Sequence, residues 1–171
     1  MATMARPPDM PGFTLLELVI TLAVLAVLST LALPSLGSHL DRGRLVGAAE
    51  LLAADLADAR LEAASQGRTL HVVASTGTEW CWSVASAPSC SCASPQACQL
   101  KTVQAHDHPG VRLLDPFSVQ LHPGGEASGQ PGRLEGRQGQ RLRVALTPLG
   151  RARICSETPG QSEATGRYLP C

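Results

Sequence analysis

The stretch Gly12-Phe13-Thr14-Leu15-Leu16-Glu17, continued by LVITLAVLAVLSTLALPSL to Leu36, is almost wholly apolar yet carries one carboxylate, Glu17. A helix needs about 20 apolar residues to span a bilayer, and Leu18–Leu36 with the residues before it is long enough. A charged group at bilayer depth costs about 3 kcal/mol or more and is rarely kept without a partner. A plain membrane anchor therefore explains the length of the run but not Glu17. Residues 1–12 are polar or small, contain Arg6 and three prolines, and end in Gly12. A secretory signal is cut after its apolar region, behind small residues. Here a short basic leader precedes the run, and its downstream end has no convincing Ala-x-Ala site.

The 171 residues suffice for about one domain. Apolar residues make up 44% and aromatics 3%, and much of the apolar share lies in the N-terminal run, so the remaining core is modest. The formal net charge is zero, and bulk charge points to neither nucleic acid nor an acidic partner. The distribution is less even. Six arginines (133, 137, 141, 143, 151 and 153) lie between Arg133 and Arg153 against one acid, Glu135. Six cysteines, Cys81, Cys90, Cys92, Cys98, Cys155 and Cys171, in a small Gly/Pro-rich region suggest disulfides and an oxidising compartment. Cys90 and Cys92 are expected to take different partners, and Cys155 and Cys171 to close a C-terminal loop.

Gly12-Phe13-Thr14-Leu15-Leu16-Glu17 resembles the prepilin processing motif of type IV pilins and type II secretion pseudopilins. The resemblance implies cleavage between Gly12 and Phe13 by a prepilin peptidase, then N-methylation of Phe13. Glu17 is the fifth residue after that cut, as the family requires, and Pro34 falls where many pilins carry a helix-kinking proline. The resemblance implies that, in a filament of such helices, the Glu17 carboxylate of one subunit can meet the Phe13 amine of its neighbour. Breaking a buried pair costs about 3–5 kcal/mol because the remaining charge is left unpaired, so Glu17 would recruit a partner subunit.

After Pro34 the pattern changes. Leu45, Ala49, Leu52, Leu56, Ala59 and Ala63 form an apolar stripe at helical spacing. Asp41, Arg42, Arg44, Glu50, Asp55, Asp58, Arg60 and Glu62 mostly fill the other faces. Pro34, Gly37, Gly43 and Gly47 weaken helix between the two halves, and Gly67 is a plausible C-cap. One helix over residues 13–66 would be about 80 Å long. Beyond Gly67, short β segments are predicted at 69–75, 80–84, 99–103, 111–114, 117–121, 141–147 and 151–155, with a Ser/Ala/Pro/Cys-rich loop over 83–97. The expected organisation is a leader at 1–12, a transmembrane or filament-core helix at 13–36, an amphipathic helical half at 37–67, and a disulfide-stabilised β-rich periplasmic head at 68–171. The fold class is α+β and type IV pilin-like: a long N-terminal helix packed on a C-terminal antiparallel β-sheet head.

Val119-Gln120-Leu121-His122-Pro123-Gly124-Gly125, then 141–149, then Gly150-Arg151-Ala152-Arg153 resembles the C-terminal pattern of the GspH/FimT family of minor pilins and pseudopilins. The resemblance implies a subunit that helps initiate or cap a filament. Its partners would be prepilin peptidase, other pilins or pseudopilins, and the bacterial inner membrane. The subunit would cross that membrane once with its head in the periplasm, and the assembled filament could reach the cell surface. In FimT-like members the Gly-Arg-x-Arg motif is linked to DNA capture in natural transformation. The alternative is an H-like pseudopilin of type II secretion, active in protein export with no DNA role.

The residues agree with a phosphate-gripping surface. Arg151 and Arg153 are two apart on a predicted strand and share a face, as do Arg141 and Arg143 on the strand before. A hairpin at Pro148–Gly150 would gather the four guanidinium groups into one patch for double-stranded DNA, bound through its phosphates without reading sequence. Other chemistry finds little support. The Cys81/Cys90/Cys92/Cys98 spacing fits disulfides better than zinc. His106 and His108 lack a third ligand and read as solvated loop residues. No nucleophile elbow, phosphate loop or dinucleotide fingerprint is present. No enzymatic activity, metal or cofactor is expected.

Overall fold

The structure, a computed structural model, describes residues 14–157 and 168–171, with the backbone alone for 30–36. Gly12 and Phe13, the expected processing residues, lie outside the described residues. The chain divides into two units, Met1–Gly37 and Ser38–Cys171. One helix, α1 (Leu15–Gln66), contributes to both.

In the first unit, the Thr14 hydroxyl accepts the Glu17 N–H at 3.2 Å, an N-cap that satisfies one of the free donors at the helix start. The Thr21 hydroxyl donates to the Leu18 carbonyl at 2.9 Å and the Ser29 hydroxyl to that of Leu25 at 2.7 Å, so both polar groups are satisfied within the helix. The large apolar side chains from Leu15 to Leu28 are more than half exposed. Among the described residues no helix is long and apolar enough to cross a membrane. The spanning stretch expected from sequence runs on to Leu36, past Ser29, the last of its residues whose side chain is described.

In the second unit, the expected stripe is the buried face of α1: Leu45, Ala49, Leu52, Leu56, Ala59 and Ala63, joined by Ala48, are at most 2% exposed. The helix runs through Gly43 and Gly47 and ends at Gly67. There the left-handed φ of 63° lets the Arg68 N–H reach back to the Ala63 carbonyl at 3.2 Å. The rest is β structure in two antiparallel sheets. The first holds β1 (Leu70–Ser75), β2 (Cys81–Ala85), β3 (Gln99–Gln104), β5 (Phe117–Leu121) and β6 (Ala127–Ser128), in the order β3-β2-β1-β5-β6. The second holds β4 (Arg112–Leu113), β7 (Arg133–Glu135), β8 (Arg141–Leu146) and β9 (Ala152–Ser156), in the order β4-β7-β8-β9. β5 and β8 alternate buried and outward positions as half-buried strands should, whereas β1 and β2 are buried along most or all of their length. Val72, Trp82, Val119 and Leu121 from the first sheet and Leu134, Leu142 and Val144 from the second join the α1 stripe in one core cluster.

Asp55 departs from its expected place on a solvated helix face. It is 2% exposed, and its carboxylate accepts the Trp82 indole N–H at 2.8 Å and pairs with Lys101. Trp80 stacks on Trp82 at 5.4 Å between ring centroids, and its indole donates to the Val111 carbonyl at 2.8 Å. His108, expected in solvent, lies against both indoles, and its Nε2 is buried without a hydrogen-bond partner. His106 remains exposed beside Asp107.

All six cysteines are paired, as Cys81–Cys92, Cys90–Cys98 and Cys155–Cys171. Cys81–Cys92 ties the β2–β3 loop to β2 and Cys90–Cys98 closes the loop on itself, with the Ser75 hydroxyl 3.1 and 3.4 Å from the sulfurs of Cys81 and Cys92. The third ties the C-terminus to β9, where Ser156 and Pro170 form a parallel bridge. Tyr168 then donates to the Glu50 carboxylate on α1 at 2.6 Å.

Candidate functional site

Two surfaces carry the expected function. The first is the start of α1. Glu17 is exposed on the first turn and makes no ion pair among the described residues. A carboxylate near a helix N-terminus is favoured by the helix dipole. The apolar side chains around it are more than half exposed, so among the described residues the helix has both an uncovered surface and an unpaired charge to offer a neighbour.

The second surface is the outer face of the second sheet. Cross-strand partners share a face, and the register sets Arg133 opposite Arg143, Glu135 opposite both Arg141 and Arg112, and Ala145 opposite Arg153. These positions alternate with the buried Leu134, Leu142 and Val144. The face therefore gathers arginines from four strands, but acids come with them. Arg141 and Arg112 donate to the Glu135 carboxylate at 2.9 and 2.7 Å. Arg133 forks onto Asp115 at 2.6 and 2.8 Å. Glu157 pairs with Arg143 at 2.5 Å and lies 3.8 Å from Arg133. The hydrogen bond from Arg133 holds the Asp115 carboxyl below its ordinary range, and that from Arg141 does the same for Glu135. Both acids are thus held as the anions their arginines need.

The expected four-arginine cluster is divided by this arrangement. Arg141 and Arg143 are already paired. Arg151 and Arg153 are exposed and form no ion pair among the described residues. Nor do they occupy one strand: β9 begins at Ala152, which leaves Arg151 in the preceding turn, while Arg153 stands on the sheet face. The hairpin itself is as expected, closed by the Gly150 N–H on the Thr147 carbonyl at 2.8 Å. Gly150 has a φ of 69°, and a Cβ there would stand 2.9 Å from the Gly125 carbonyl oxygen and from Arg60 Cδ. The glycine before Arg151 is thus required both by its backbone conformation and by close approach. Arg60 was not distinguished in the sequence from the other charges on α1, because its contact with Gly125 spans 65 residues.

Among the described residues no group of three His, Cys, Asp or Glu side chains is arranged to hold a metal ion. A polar-capped apolar helix whose second half packs against a disulfide-bonded, two-sheet head is the build of a pilin-type filament subunit. Residues 48–150 match the family model described as type II transport protein GspH, and residues 11–33 match that of the prokaryotic N-terminal methylation motif. The chain belongs to the GspH family of minor pilins and pseudopilins. Among solved structures it is similar to the type IV minor pilin FimU of Pseudomonas aeruginosa, with 22% identity over 64% of this chain and 91% of that one and a TM-score of 0.47. No curated protein matches the chain significantly.

Proposed function

We propose that the chain is a structural subunit that helps initiate or cap a type IV pilus or type II secretion filament. A prepilin peptidase would cut it between Gly12 and Phe13. It would wait in the inner membrane with its head in the periplasm, then enter the filament through Glu17. The supporting observation is the helix start, where apolar side chains from Leu15 to Leu28 are exposed around Glu17, a carboxylate without an ion pair among the described residues. Burying such a surface against lipid or neighbouring helices is worth about 25 cal/mol per Å² of apolar area. The test is recovery of the subunit in sheared filaments. Glu17→Ala is expected to be processed and membrane-bound but lost from the filament fraction, and undiminished recovery would overturn the role of Glu17.

A second activity, non-specific capture of double-stranded DNA, is supported by Arg151 and Arg153, whose guanidinium groups are not neutralised by a carboxylate among the described residues. Arg141 and Arg143 would contribute to the surrounding field. The full chain in detergent micelles, titrated with labelled duplex DNA at low and moderate salt, should bind more weakly as salt rises. Arg151→Gln/Arg153→Gln should abolish that binding. No binding at low salt would leave the filament role standing and favour an H-like pseudopilin of the secretion machine.

A further inference from the structure

The turn that carries Arg151 packs closely against a second arginine, Arg60 on α1. Arg60, half-buried on the helix, donates its Nε–H to the Gly125 carbonyl at 3.2 Å. Gly125 belongs to the His122–Gly125 turn after β5, and its φ is 89°. A Cβ on Gly125 would stand 2.9 Å from an Arg60 guanidinium nitrogen, and one on Gly150 2.9 Å from Arg60 Cδ. Turns from two different sheets therefore close on one side chain. Only Nε of that guanidinium is used by Gly125, so the terminal N–H groups remain for another acceptor.

Beside this contact is a recess of about 330 Å³ whose walls include Ala53, Ala57, Arg60, Leu61 and Arg151. Among the described residues no acidic side chain lines it. Of the nearby acids, Glu62 is engaged by Gln66 at 2.6 Å, Glu126 lies against Gly124, and Asp58 is exposed on α1. Neither Arg60 nor Arg151 forms an ion pair among the described residues. Ala53 and Ala57 are short, so this part of the wall carries little bulk. Two planar donor groups over a floor without carboxylates select an anion with several acceptor oxygens.

The geometry points to a phosphodiester site shared by α1 and the β8–β9 turn, in which Arg60 and Arg151 grip the same stretch of nucleic-acid backbone. Arg60 also positions Arg151 through the two glycine turns. The inference rests on the DNA-capture reading and adds to it a ligand from a different element, 91 residues earlier in the chain.

The experiment uses the full chain in detergent micelles and a labelled 20-base-pair duplex, with Kd measured over a salt series. Each phosphate ligand lost should lower the slope of log Kd against log salt by about one. Arg60→Gln is expected to weaken binding about tenfold at low salt and to lower the slope by about one, as Arg151→Gln does. Arg60→Lys should keep the slope. Leu61→Glu guards against misfolding, since Leu61 is 65% exposed and its replacement removes nothing from the core. It should weaken binding severalfold by placing a carboxylate at the rim. If the wild type binds and Arg151→Gln lowers the slope while Arg60→Gln and Leu61→Glu change nothing, the shared site is overturned and DNA capture stands. If the wild type does not bind, both fall. Displacement of the duplex by polyglutamate at equal charge concentration would overturn the phosphodiester assignment in favour of an acidic protein.

Discussion

The indole N–H of Trp82 and the carboxylate of Asp55 meet at 2.8 Å inside the core, joining α1 to the middle of the first sheet. Lys101 supplies the charge partner from β3, but its side chain is 48% exposed, so the buried indole bond is the more costly of the two to lose. Asp55→Ala would leave a buried indole N–H and a lysine unpaired and should cost about 2–4 kcal/mol. Trp82→Phe leaves the carboxylate its lysine but loses the indole bond, and should cost about 1–3 kcal/mol. Urea unfolding followed by the fluorescence of Trp80 and by circular dichroism measures both. Equal stability of Asp55→Ala and wild type would mean that the buried network contributes nothing net.

Gly150→Ala should destabilise the head by about 1–3 kcal/mol, because it combines a left-handed backbone with a Cβ 2.9 Å from both Arg60 and the Gly125 carbonyl. In an Arg60→Ala background the penalty should shrink but not vanish, since the backbone strain and the carbonyl contact remain. A thermal melt of the four proteins in the cycle reads the coupling directly.

Arg141→Gln and Arg143→Gln should affect DNA affinity less than Arg151→Gln and Arg153→Gln, because Glu135 and Glu157 already neutralise the first two. Their effect should fall on stability instead. Arg141→Gln leaves Glu135, a largely buried acid, with Arg112 alone. Larger losses of binding at 141 and 143 than at 151 and 153 would reverse the assignment of free and committed arginines.

Stability should fall on acidification in two stages. Burial lowers the pKa of His71 and of His108, so the unfolded chain binds their protons first. Their contribution is present above the ordinary histidine value of about 6.5 and is lost as pH falls through the lower native values. Asp115 and Glu135, held low by Arg133 and Arg141, contribute above the ordinary carboxylate range near pH 4. That contribution is lost as pH falls further, through their native values. Urea midpoints from pH 8 to pH 3 should show both stages, and His71→Gln/His108→Gln should weaken the upper one. A midpoint that rises between pH 7 and pH 5 would contradict the sign.

What the sequence disclosed follows the range of the interactions. The stripe from Leu45 to Ala63 and the strand Phe117–Leu121 are local periodicities and appear where expected. The separate partners of Cys90 and Cys92 and the C-terminal bridge were also legible. The short strands β6 and β7 were not, because two or three residues between glycines carry no period. Asp55 looked like any surface carboxylate, since its indole and lysine partners lie 27 and 46 residues away. The arginine excess was visible, but its commitment to Asp115, Glu135 and Glu157 depends on strand register, which single-sequence patterning does not supply.

The bridge between Ser156 and Pro170, secured by Cys155–Cys171, places the chain's last residues against the C-terminal end of β9. A bare sheet edge is a template for a foreign strand. At that end of the strand the disulfide is expected to guard against pairing between heads. Closing a 16-residue loop is worth about 3 kcal/mol of unfolded-chain entropy, and without it the tail leaves that edge for part of the time. If the chain assembles into a filament as proposed, its heads would be crowded side by side, and a reduced head would meet its neighbours as potential extra strands. Cys155→Ser/Cys171→Ser should accordingly promote concentration-dependent self-association, read by light scattering, at temperatures where the head is still folded.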